Sequence, residues 1–138
     1  MKGISLTVVS MIFLFGVQAP EVAAGGVLDG KTFVGDMGKK GDPAGDMKEE
    51  LTFRDGKMHS LACDAYGYGD GAYAATVEGA AIAFGAQTVS PTDGTMVWKG
   101  TVEGNLLSAT AIQWKIGAPP GEAPGEYWAQ GQLEASAE

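Results

Sequence analysis

Six pairs of an acidic residue followed by glycine cut this chain into short pieces: Asp29-Gly30, Asp55-Gly56, Asp70-Gly71, Glu78-Gly79, Asp93-Gly94 and Glu103-Gly104. Glycine takes positive φ without steric cost, and acidic-glycine pairs suit two-residue hairpin turns. The segments between the pairs are short and alternate in polarity. Glu49 to Arg54 leads into Asp55-Gly56, and Lys57 to Ala62 leads out. The tetrapeptide Thr-Val-Glu-Gly occurs at 76–79 and again at 101–104, each time between two such segments. Strand-like runs punctuated this regularly predict an all-β meander.

The stretch from Ala72 to Ala86 is rich in alanine, the best helix former. Gly79 and Gly85 interrupt it, and Thr76, Val77, Ile82 and Phe84 prefer pleated surroundings. It is therefore read as two strands. The full set of expected strands is 27–35, 48–54, 57–63, 72–78, 81–88, 95–102, 105–115 and 126–133. Eight sequential antiparallel strands can remove both exposed edges by closing. The predicted fold is thus a single antiparallel meander closed as a small up-and-down barrel, with 126–133 pairing to 27–35. Two connections exceed a hairpin: Asp36 to Lys48, and the proline- and glycine-rich Gly117 to Gly125. Both are expected at barrel ends, where access to an interior is controlled.

Three stretches, LDGKTFVG, LTFRDGKMHSLACDAYGYG and EYWAQGQLE, resemble small exported bacterial proteins of lipocalin-like or calycin-like shape. The resemblance covers most of the chain after residue 24, is architectural, and carries no catalytic motif. It implies a barrel with a binding role.

The first two dozen residues read as a secretory leader. Lys2 gives a basic start, Ile4 to Val17 is an apolar run, and Val22-Ala23-Ala24 offers the small residues that signal peptidase needs. Cleavage after Ala24 would leave one domain, 25–138, in the periplasm or outside the cell, with no membrane span after processing. The net charge of −8 opposes binding to nucleic acid or anionic lipid. Cys63 is the only cysteine, so no internal disulfide can form. A buried thiol, an exposed thiol and a disulfide-linked dimer through Cys63 are the three outcomes left.

MHSLACDAYGYGDGAY, residues 58–73, gathers this cysteine with the single histidine. If 57–63 is a strand, His59 and Cys63 lie about 13 Å apart at roughly 3.3 Å per residue. Zinc ligands sit about 2 Å from the ion, so one strand cannot supply both. The same separation denies Cys63 a histidine base. Gly67, Gly69 and Ala72 match a loose dinucleotide fingerprint, but no βαβ unit surrounds them. No metal, no cofactor and no enzymatic activity are expected.

Cys63 is expected as a small buried hydrophobe. The Tyr66-Gly67-Tyr68-Gly69 loop either displays two aromatics for recognition or plugs the barrel end with one of them. Trp98 and Trp114 alternate with Met96 and Ile112 and are read as core. Tyr127 and Trp128 are adjacent and must point to opposite faces. Small residues such as Ala75, Ala83 and Ala109 either leave interior space or mark tight packing. The candidate binding residues are therefore Cys63, Tyr66, Tyr68, Trp98, Trp114, Tyr127 and Trp128. The expected role is an exported barrel that binds a small apolar ligand or a protein partner. The alternative is an exported inhibitor or stress-associated interaction protein that uses the Tyr66–Tyr68 loop.

Overall fold

The computed structural model describes residues 26–134; the leader-like segment lies outside them. Eight strands follow in chain order: β1 (Thr32–Lys39), β2 (Met47–Arg54), β3 (Lys57–Ser60), β4 (Gly71–Glu78), β5 (Ala81–Ser90), β6 (Gly94–Glu103), β7 (Leu106–Lys115) and β8 (Gly125–Leu133). Each pairs antiparallel with the next, and β8 returns to β1 through pairs running from Phe33↔Leu133 to Lys39↔Tyr127. The barrel is closed, consistent with a lipocalin-like architecture. Among the described residues no helix is long and apolar enough to cross a membrane.

Two-residue hairpins join the strands at one end of the barrel. At Asp55-Gly56 both residues have positive φ, 54° and 76°, the geometry whose twist matches the flanking strands. The other tight turns are Gly79-Ala80 and Gly104-Asn105, where the glutamate of each pair closes the preceding strand. The long connections, 40–46, 61–70 and 116–124, gather at the opposite end.

Two strands differ from expectation by more than two residues at an end. The first strand runs 32–39 rather than 27–35, because Gly26 to Lys31 folds into turns closed by Asp29 N–H to Gly26 and Lys31 N–H to Leu28. Leu28 is fully buried there, so its apolar character reflects a plug and not a pleat. The third strand stops at Ser60 instead of 63. The buried Glu49 carboxylate takes hydrogen bonds from Ser60 Oγ (2.6 Å) and Ala62 N–H (2.9 Å), which turns the chain out of the ladder. As a result β3 meets β4 over only Lys57↔Ala72 and Met58↔Gly71.

Side chains fill the tight-turn end. Phe53 meets Phe33, Tyr73 and Phe84 edge-on, at centroid distances of 6.1, 4.9 and 5.3 Å. Trp98 lies farther along the barrel with 0 % exposure, its Nε1 donating to Thr88 Oγ1 at 3.2 Å. Its cross-strand neighbours are Ala86 and Ala111. Gly100 supplies further room, since a Cβ there would come within 2.7 Å of the Phe84 ring. At this end the small residues mark tight packing around large rings.

Candidate functional site

Toward the long-loop end the rings give out and the barrel opens into a cup of about 410 Å³. Inward positions of three strands supply its wall: Met37 on β1, Met47 on β2 and Met96 on β6, with Met37 directly opposite Met47. Unbranched thioethers adapt to irregular apolar shapes, which suits a binding wall. The 61–70 excursion adds Ala62, Cys63, Tyr66 and Tyr68 from one side. Gln113 near the end of β7 and Tyr127 on β8 complete the opposite side. Lys39, Asp46, Asp93 and Lys115 stand at the mouth, two charges of each sign.

A short chain of hydrogen bonds runs along the wall. Gln113 Nε2 donates to Tyr68 Oη at 3.0 Å, and Tyr127 Oη donates to Gln113 Oε1 at 3.3 Å. Burial pushes the Tyr68 phenol above its ordinary value, with the Gln113 hydrogen bond acting the other way. The Tyr68 phenol is therefore a neutral donor at physiological pH.

The excursion is held from two sides. Ser90 Oγ donates to the Tyr66 carbonyl at 2.7 Å. On the outer surface His59 Nδ1 lies 2.6 Å from Asp70, and Nε2 lies 3.0 Å from Asp64. A 3₁₀ turn, Asp64–Tyr66, separates the two aspartates, and Gly67 ends it with a left-handed φ of 85°. Burial pulls the His59 pKa down, but hydrogen bonds and charges from Asp70 and Asp64 outweigh it and raise the value overall.

The structure brings four of the seven candidate residues together and leaves three elsewhere. Cys63 is buried, free and on the cup wall. Burial, the largest effect, pushes its thiol up to about 11, so it is neither thiolate nor an exposed sulfur for an intermolecular disulfide. The two tyrosines of the loop differ: Tyr68 is 5 % exposed and packed into the cup wall, while Tyr66 is 53 % exposed at the rim. Tyr127 faces inward and reaches the cup. Trp98 is core and does not line it. Trp128 points outward, where its Nε1 donates to the Asp42 carbonyl at 2.7 Å and holds the 40–46 loop.

Trp114 is a correction. It was read as core, yet it is 53 % exposed on the outer face of β7. The inward residues of that strand are Leu107, Ala109, Ala111 and Gln113. Trp98 occupies the barrel centre opposite Ala111, so the small residue must face in, and the one-residue phase turns Ile112 and Trp114 out.

Sequence reasoning missed Met37, Met47, Met96 and Gln113. The usable signal was register: Met37 follows Phe33 at an even spacing, and Gln113 is the only polar side chain in the alternation 107, 109, 111, 113. Among the described residues no group of three or more His, Cys, Asp or Glu side chains is placed to hold a metal ion. In comparisons with known proteins, no family model, no curated protein and no solved structure matches this chain.

Proposed function

We propose that this protein is an exported binding protein whose barrel cup takes a small, largely apolar molecule. The observation that carries the reading is the contrast between the two barrel ends. One is sealed by Leu28 and the aromatic layer, and the other opens into the methionine-walled cup. A concave site of a few hundred Å³ with apolar walls and a few polar groups is the usual form of a small-molecule pocket. The leader-like segment supports export of the chain.

No tryptophan lines the cup, so its methionines are the better reporters. Met37, Met47 and Met96 face it, whereas Met58 is fully buried outside it and serves as an internal control. With ¹³C-methyl methionine labelling, titration with octane or an octane derivative is expected to shift the three cup signals and leave Met58 in place. Unmoved cup signals at ligand saturation, or equal movement of Met58, would overturn the reading.

A second reading is favoured by the exposed apolar groups Tyr66, Val89 and Trp114 near the rim, which suit a protein partner. In that role the chain acts as an exported inhibitor or stress-associated interaction protein. Tyr66→Ala is then expected to remove a partner recovered from the same compartment, and an unchanged partner list counts against it.

A further inference from the structure

We infer that the cup selects molecules bearing a hydrogen-bond-accepting oxygen, a carboxylate or carbonyl, on an apolar body, and that Tyr68, Gln113 and Tyr127 hold that oxygen. The inference rests on the cup being a binding site and adds the chemistry of what it binds.

The argument is a count of protons. Each phenol carries one donor hydrogen and the amide carries two, giving four across the three side chains. Among the described residues these groups make two hydrogen bonds, Gln113 to Tyr68 and Tyr127 to Gln113, and each uses one hydrogen. Two donor hydrogens are left over. Exchanging the amide oxygen and nitrogen of Gln113 does not alter the count, because each contact still consumes one hydrogen. The surplus belongs to buried groups: Tyr68 is 5 % and Gln113 7 % exposed, and all three side chains line the cup.

Buried donors without partners are costly, and native proteins supply them with water or ligand. An oxygen with two lone pairs and no hydrogen takes both surplus donors. A hydroxyl accepts but also brings a donor of its own, and a hydrocarbon offers nothing. A site built around hydrogen-bonding groups discriminates against an analogue lacking the matching atom, because its own groups are then left unpaired. The mouth carries Lys39 and Lys115 but also Asp46 and Asp93, so its charge does not choose between an acid and a neutral carbonyl compound.

The test uses the full chain and four probes built on an eight-carbon chain: octanoate, methyl octanoate, 1-octanol and octane. Binding is read from the cup methionine signals and by calorimetry at pH 7. Octanoate, methyl octanoate or both are expected to bind about tenfold or more tighter than octane, the worth of one to two hydrogen bonds. The ratio of acid to ester identifies which oxygen is preferred. Tyr68→Phe, Gln113→Leu and Tyr127→Phe combined remove every donor of the trio and are expected to reduce that preference to about threefold or less. Gln113→Glu replaces two donors by acceptors and is expected to reject octanoate. Octane binding as tightly as the oxygenated probes, or a preference that survives both the triple variant and Gln113→Glu, would overturn the inference while the cup remains. Silence from all four probes would remove the cup and the inference together.

Discussion

The Tyr73 hydroxyl donates a 2.7 Å hydrogen bond to the Asp29 carboxylate and accepts one of 3.2 Å from the Leu28 N–H. Asp29 in turn accepts the Gly56 N–H of the β2–β3 hairpin at 3.1 Å. One phenol therefore ties the segment before β1 to the base of the barrel and seats the Leu28 plug. The chain passes close enough that any Cβ at Gly26, where φ is 59°, would collide with the Tyr73 ring.

Tyr73→Phe keeps the ring but leaves the Leu28 N–H without a partner. A loss of about 1–3 kcal/mol is expected from urea unfolding, the cost of one unpaired buried donor. Burial and the Asp29 charge hold the phenol well above the ordinary tyrosine range, so the parent keeps this contact through alkaline pH.

Glu49 is an acid placed where a neutral group would fold better. Burial raises its pKa, opposed by hydrogen bonds from Ala62, Ser60 and Glu50 and by His59. A folded value above the unfolded one means that its contribution is fully present below the ordinary glutamate pKa and is lost as pH rises through the folded value. Glu49→Gln retains an acceptor for the backbone N–H groups without the charge. It is expected to exceed the parent in stability at pH 7 and to converge with it near pH 4, as read from urea midpoints. Glu49→Ala strips Ser60 and Ala62 of their partner and is expected to cost about 1–3 kcal/mol for each donor.

His59 pins the excursion that walls the cup, through Asp70 and Asp64. Its raised pKa contributes stability that is present in full below the ordinary histidine value, about 6.5, and lost as pH climbs through the folded value. Hydrogen exchange of amides 61–70 is expected to quicken more between pH 6 and pH 8.5 than the intrinsic rate explains. His59→Gln is expected to remove that extra dependence, and identical profiles for both proteins would refute the role.

Trp98 and Trp114 make opposite predictions. Trp98→Ala is expected to cost about 3–5 kcal/mol, as for other buried aromatics, and to remove the blue-shifted part of the emission. Trp114→Ser is expected to stay within about 0.5 kcal/mol of the parent and to remove an iodide-quenchable part. A large loss at Trp114 would contradict its outward register.

Much of the architecture was legible because it is written locally. Asp55-Gly56 specifies a hairpin by backbone conformation alone, and the two Thr-Val-Glu-Gly segments end strands without help from distant residues. The errors came where a distant group decided. Leu28 looked like the start of a strand until Tyr73 captured its N–H. Leu61 and Ala62 looked like the end of one until Glu49 drew the chain away. Trp114 carried no mark of its orientation, since large apolar side chains fit either face of a β7 read in isolation. Half of the cup was equally silent, because a methionine or glutamine becomes a wall residue only through the strand facing it.

The sequence by itself determined the number of strands and their antiparallel order, because turn chemistry and alternation act over a few residues. Only the tertiary structure decided which faces point inward and which barrel end stays open. Those depend on volume: four rings and Trp98 fill one end of a closed cylinder, and the residues left at the other end are too slender to close it.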